Sequence, residues 1–106
     1  MQIKKYTSYQ TKHIPLYREI LNLTHNAEQT YPGYFKWFHQ TFLEGLKKKE
    51  RMILIAQESQ KVVGCILLKK TPDEKKICTF FVHPDFRKQG IGQKLIKAAF
   101  KDSSNR

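Results

Sequence analysis

The chain has 106 residues, with 20 lysines and arginines against 9 acidic residues, giving a formal net charge of +11 at pH 7. That length supports one domain with one modest core, and the surplus of positive charge asks for a negatively charged partner. No run of about 18 apolar residues occurs to span a membrane, and no apolar stretch of the secretory type follows the opening Met1-Gln2-Ile3-Lys4-Lys5-Tyr6, so a cytoplasmic location is expected.

Residues Gln2 to Tyr9 alternate weakly between apolar and polar and are expected to form a first strand. A helix is expected from Thr11, because a proline (Pro15) fits a first turn and Leu16, Ile20, Leu21 and Thr24 recur at three- and four-residue steps. The stretch from Asn26 to Gly33 is rich in turn formers, and Pro32-Gly33 stops that helix. A second helix is expected from Tyr34 to Lys49. Phe35, Phe38, Phe42 and Leu46 form its apolar stripe, read as core, which leaves Tyr31, Tyr34 and Trp37 off the stripe as candidates to line a pocket. Lys47-Lys48-Lys49 falls in the last turn, where cations suit the helix dipole.

Met52 to Ala56 and Lys61 to Leu68 are apolar runs around the polar bend Glu58-Ser59-Gln60, which reads as a hairpin. Gly64, inside its second arm, is read as a bulge, a close backbone approach or a tolerated residue. Thr71-Pro72-Asp73-Glu74 turns the chain again into a central strand, Lys76 to Val82, on which Cys78 and Thr79 are expected to face opposite sides. Cys65 and Cys78 have no Cys-x-x-Cys spacing and are expected to be buried free thiols. His13, His25, His39 and His83 share no metal-ligand spacing. No internal repeat or linker divides the chain, so residues 1–106 are expected to form a single domain.

The most informative stretch follows that strand. Ile77 to Val82 is apolar and rich in β-branched and aromatic residues, Pro84 cuts it, and helical periodicity begins after Gly90. Two glycines flank Ile91 where the loop becomes a helix, so the backbone can turn tightly and aim several amides at one point. A helix start carries unpaired donors and about half a positive charge, so an anion, above all a phosphate, suits it. Arg87 and Lys88 add formal charge there. A P-loop would need Lys and then Ser or Thr after the last glycine, where Gln93 and Lys94 stand, and a dinucleotide fingerprint would need a third glycine at Leu95.

The segment Val82-His83-Pro84-Asp85-Phe86-Arg87-Lys88-Gln89-Gly90-Ile91-Gly92, set between a strand and an apolar helix, resembles the GNAT acetyltransferase superfamily with its Arg/Gln-x-x-Gly-x-Gly/Ala loop. The resemblance implies a mixed α/β fold in the order β-α-α-β-β-β-α, an antiparallel meander with helices on its faces. It also implies that acetyl-coenzyme A is the co-substrate. Strand backbone at Phe80, Phe81 and Val82 would pair with the pantetheine arm, and Arg87, Lys88, Gln89, Gly90, Ile91 and Gly92 would cradle the pyrophosphate. The expected activity is transfer of an acetyl group to a primary amine.

The chain departs from the family pattern in two ways. It ends at Arg106, so the C-terminal β-α-β-β portion is expected to be lacking, with the polar end Asp102-Ser103-Ser104-Asn105-Arg106 frayed. Several family members place a glutamate base where Lys76 stands, and a protonated lysine cannot accept a proton. No catalytic side chain is assigned; His83 reads as a hydrogen-bonded loop residue. An unpaired strand at Ile77 to Val82 would be an open apolar edge, and a homodimer through that edge is expected. Two other functions compete: a non-catalytic coenzyme A-binding subunit, and a nucleic-acid-binding protein using Lys94, Lys97 and Lys101, which share a helix face. The plainer reading of those lysines is a solvated face.

Overall fold

In a computed structural model, residues 1–101 are described; the expected fraying of residues 102–106 lies outside them. Four strands, β1 (Gln2–Tyr6), β2 (Arg51–Glu58), β3 (Lys61–Lys70) and β4 (Lys75–Val82), form one antiparallel sheet in the order β1-β2-β3-β4. The middle strands are apolar on both faces, with Met52 to Ala56 and Val62 to Leu68 buried throughout, so both faces need a cover. One cover is α1 (Ile14–Leu23) with the helical stretch from Tyr34 to Lys47, whose Ile20, Phe38, Phe42 and Leu46 pack on Ile53, Ile55, Cys65 and Leu67. The other is α5 (Ile91–Phe100), whose Ile91, Leu95 and Ala99 pack on Leu54, Ile66 and Leu68. The β-α-α-β-β-β-α order expected from the resemblance is therefore the order found.

The β2–β3 connection is tighter than the sequence suggests. Glu58 pairs with Lys61, which leaves only Ser59 and Gln60 in the turn, both at positive φ (51° and 67°), as a two-residue hairpin with matching twist requires. Gly64 proves to be both a bulge neighbour and a close approach. The register shifts beside its partner Ala56, and a Cβ on Gly64 would lie 3.1 Å from Leu95 Cδ1 and 3.3 Å from the Phe81 carbonyl oxygen. Without a side chain there, α5 seats directly on β3. Val62 N–H donates to Glu19 Oε2 at 2.8 Å, which ties α1 to the same hairpin.

The aromatic helix differs in detail from the expectation. It runs as α3 (Tyr34–Trp37), a π turn (Phe38–Phe42) and α4 (Leu43–Lys47), and a further short helix, α2 (Ala27–Thr30), occupies part of the turn-rich stretch before it. A π turn takes more residues per turn than an α turn, so a strict four-residue series stays on the sheet-facing side. That series is Tyr34, Phe38, Phe42 and Leu46, all buried, whereas Phe35, expected on the stripe, is 37% exposed. Strand β1 is also shorter than expected, ending at Tyr6.

The open edge expected at Ile77 to Val82 is found: β4 pairs with β3 alone among the described residues. The corrected stripe has a measurable consequence. Phe38→Ala should cost about 3–5 kcal/mol of unfolding free energy in denaturant titrations, whereas Phe35→Ala should change it by no more than about 0.5 kcal/mol. Equal losses at the two positions would contradict this placement of the helix.

Candidate active site

The loop after β4 is held by local bonds that the sequence dictates. Pro84 to Phe86 form one 3-10 turn, begun by His83, whose Nδ1 accepts from Asp85 N–H at 3.1 Å. His83 N–H donates to the Val63 carbonyl at 2.7 Å, so the strand pairing continues one residue past Val82. His83 is thus the hydrogen-bonded loop residue expected. Arg87 folds back on β4: its Nε donates to the Val82 carbonyl at 2.8 Å, and its guanidinium lies 5.4 Å from the centre of the Phe81 ring. Lys88 and Gly90 both adopt the left-handed conformation (φ 67° and 79°), which turns the chain sharply into α5. Of the two, only Gly90 takes this conformation without a steric cost at Cβ.

Helix α5 has no side-chain cap at Gly90, and the Lys94 amide bonds the Gly90 carbonyl at 3.1 Å. The amides of Ile91, Gly92 and Gln93 precede that first helical bond and are the unpaired donors of the helix start. The tip of the Phe80 ring lies against this first turn, since a Cβ on Gly92 would be 3.0 Å from Phe80 Cζ. Together the strand end and the loop enclose a hollow of about 330 Å³. Of the residues singled out from the sequence, Phe80, Phe81, Val82, Arg87, Lys88, Gly90, Ile91 and Gly92 line it; Gln89 is exposed and does not. Phe86 also lines it. The sequence showed Phe86 only as the aromatic member of the motif, with no signal that its ring would reach the hollow.

A larger open groove of about 960 Å³ lies between the α1–α3 region and the same strand. Its floor is Lys76 to Phe81, and its walls include Thr24, Tyr31, Tyr34 and Trp37. The three aromatic residues singled out as pocket candidates therefore all line it, although Tyr34 belongs to the core stripe as well. A bulge changes the floor. Leu67 pairs with Thr79 and Leu68 with Ile77, so Cys78 has no partner on β3. The expected alternation breaks there. Arg51 Nη1 donates to Cys78 Sγ at 3.4 Å, and Thr79 Oγ1 donates to the Tyr34 phenol oxygen at 3.4 Å, so both residues serve the groove. Regular strands place neighbouring residues on opposite faces, and only the inserted residue lets two in succession share one.

The groups around the groove have distinct acid–base characters. Burial pushes the Tyr34 phenol up from its ordinary value, against the smaller opposing effect of its hydrogen bonds to Thr24 and Thr79, so it stays a neutral hydroxyl. Glu28 is held below the usual carboxylate range because its two oxygens accept from Phe35 N–H and Gly33 N–H, each at 2.8 Å. That carboxylate fixes the loop, with Gly33 at φ 91°, and starts α3. Arg51 lies across Gly45, where a Cβ would meet its side chain at 2.5 Å, and its guanidinium is 6.0 Å from the ring centres of Trp37 and Phe42. On the opposite face of the sheet, Lys94, Lys97 and Lys101 of α5 and its end are exposed.

The two cysteines differ from the expectation that both are buried. Cys65 is buried and burial pushes its thiol up to about 12, whereas Cys78 is exposed. In the native protein near neutral pH, a thiol-specific reagent should modify one cysteine, and Cys78→Ser should abolish that reaction. Cys65 should react only on unfolding. The sign of its pH effect follows: the unfolded thiol ionises near its ordinary 9.0 while the folded one waits until about 12, so this contribution to stability is intact below pH 9 and declines through that window. The decline should be smaller in Cys65→Ala.

Comparisons place this arrangement among known proteins. A family model described as "Acetyltransferase (GNAT) family" matches residues 14–106. Among solved structures, an aminoglycoside 6'-N-acetyltransferase complexed with coenzyme A superposes with a TM-score of 0.70 at 19% identity, over 99% of this chain and 56% of the other. A ribosomal-protein-alanine N-acetyltransferase from Brucella melitensis biovar Abortus 2308 gives 0.69 at 18% identity, over 100% of this chain and 73% of that one. The PaiA N-acetyltransferase of Thermoplasma acidophilum, in complex with coenzyme A, gives 0.69 at 16% identity, over 99% and 74%. The chain thus spans little more than half the length of the first of these. No curated protein gives a significant match.

Proposed function

Because the chain belongs to the GNAT acetyltransferase family, we propose that it binds acetyl-CoA along β4 and the loop before α5 and transfers the acetyl group to a primary amine in the groove. The observation that carries this reading is the junction of two unsatisfied backbone surfaces. The outer edge of β4, unpaired among the described residues, runs straight into the unpaired amides at the start of α5, with Arg87 and Lys88 beside them. An elongated ligand with a peptide-like arm and a pyrophosphate fits that sequence of an extended edge followed by an anion-attracting helix start.

The co-substrate supplies a thioester carbonyl as the acetyl donor. The residues of this chain bind and orient. Backbone at Phe80, Phe81 and Val82 holds the extended arm, and the amides of Ile91 and Gly92 hold the pyrophosphate; Gln89 is left as a surface residue of the loop. The bulge at Cys78 frees strand backbone at the point where a carbonyl must be polarised, which is where fixed donors count most. A neutral amine in the groove adds to the carbonyl carbon, and the C–S bond breaks with coenzyme A leaving as its thiolate. The amine proton passes through water to that sulfur, since among the described residues no carboxylate lines the groove to take it.

The binding side of this proposal is tested by calorimetric titration with acetyl-CoA. Saturable binding is expected, and Gly90→Glu should weaken it by at least tenfold, about 1.4 kcal/mol, because it both strains a left-handed position and brings a carboxylate to the phosphates. Unchanged affinity in the variant would place the ligand elsewhere. Turnover is tested by free thiol release with a panel of amines; binding without release would favour a coenzyme A-binding subunit over an enzyme.

The homodimer expected at the β4 edge would use the same backbone groups as the co-substrate. A second copy and acetyl-CoA therefore compete, and sedimentation should show any dimer dissociating as acetyl-CoA is added. A dimer indifferent to acetyl-CoA would use another surface.

A further inference from the structure

The groove carries information about its acceptor that a family assignment does not. Among the described residues, no aspartate or glutamate lines it, and its one charged lining residue is Lys76. A second cation, Arg51, stands at the same end, bonded to Cys78 Sγ and 6.0 Å from the centre of the Trp37 ring. The carboxylate carried by the lining segment, Glu28, accepts from two backbone amides and does not line the groove. Aromatic side chains, Trp37 and Tyr34 with the exposed ring of Tyr31, form much of the wall. This is a site with flat apolar surfaces and a positive end.

From this we infer that the acceptor is an amine carried on an aromatic scaffold with an anionic group beside it, the chemistry of an aromatic amino acid, and that polycationic aminosugars are excluded. The inference rests on the proposed acetyl transfer only for the fate of the amine; the selectivity belongs to the groove. The anionic group would meet Lys76 and Arg51, the ring would lie against Trp37, and the amine would point towards β4 at Thr79. Fixed positive charge near an amine also favours its neutral form, so the cations that select the acceptor help to ready it for attack where the groove offers no carboxylate base. A polycationic sugar would meet like charge and find no carboxylate to pair with.

Trp37 is the one tryptophan of the chain and lines the groove, so its fluorescence reports occupancy directly, with or without acetyl-CoA. Three probes separate the contributions: phenylalanine, phenethylamine, which lacks the carboxylate, and kanamycin, a polycationic aminosugar. Phenylalanine should bind most tightly, phenethylamine about tenfold more weakly, the range expected for a partly exposed charge pair with a second cation near it, and kanamycin most weakly. Lys76→Glu should lower phenylalanine affinity and raise that of kanamycin. Kanamycin binding the wild-type protein as well as phenylalanine does would overturn the inference, as would a fluorescence response to none of the three. Because these titrations need no acetyl-CoA, their failure is distinct from failure of the co-substrate to bind in calorimetry.

Discussion

A strand with one neighbour has a row of backbone groups that must find partners other than protein ladder bonds. Among the described residues β1 and β4 are such strands, and much of the structure can be understood as holding β4 in place while leaving its outer edge open. Strand β3 supplies its inner ladder, α5 buttresses one face through Ile91 and Leu95, and the aromatic helix backs the other through Tyr34. Arg87 bonds the Val82 carbonyl at the end of the strand, so the opening is bounded by a cation at the point where the helix amides begin. The result is a binding surface made mainly of backbone, whose chemistry is fixed by geometry more than by side-chain identity.

Three small residues set that geometry. Gly64 lets α5 approach β3 closely enough for its first turn to come level with the end of β4, Gly90 takes the left-handed turn into the helix, and Gly92 makes room for the Phe80 ring. A side chain at Gly64 would push on Leu95 and on the Phe81 backbone, moving the two halves of the hollow relative to each other. The packing of the core and the shape of the site are therefore coupled. Gly45 plays a similar part on the other side, since the passage of Arg51 across it brings a guanidinium to Cys78 and the edge of the groove.

The strand order, the hairpin and the loop were legible because each rests on a local rule: apolar runs, turn formers, and glycines in a fixed frame before a periodic helix. Less was legible where the backbone leaves regular geometry. The π turn shifts the buried set from Phe35 to Tyr34, and an idealised α-helical wheel cannot show that shift. The bulge at Cys78 is similarly invisible to a period of two, yet it determines that Cys78 and Thr79 both serve the groove. Arg51 and Glu28 drew no attention in the sequence because their roles depend on contacts with residues 27 and 5 to 7 positions away, respectively.

The claim on which everything functional rests is that one ligand spans the β4 edge and the α5 start together. Amide hydrogen exchange, followed residue by residue with and without acetyl-CoA, tests it most directly. The account predicts a single connected footprint, with slower exchange at Phe80, Phe81 and Val82 and at Ile91, Gly92 and Gln93, and little change in β1. Protection confined to the lysine face of α5, or protection of the helix start with none on the strand, would contradict it.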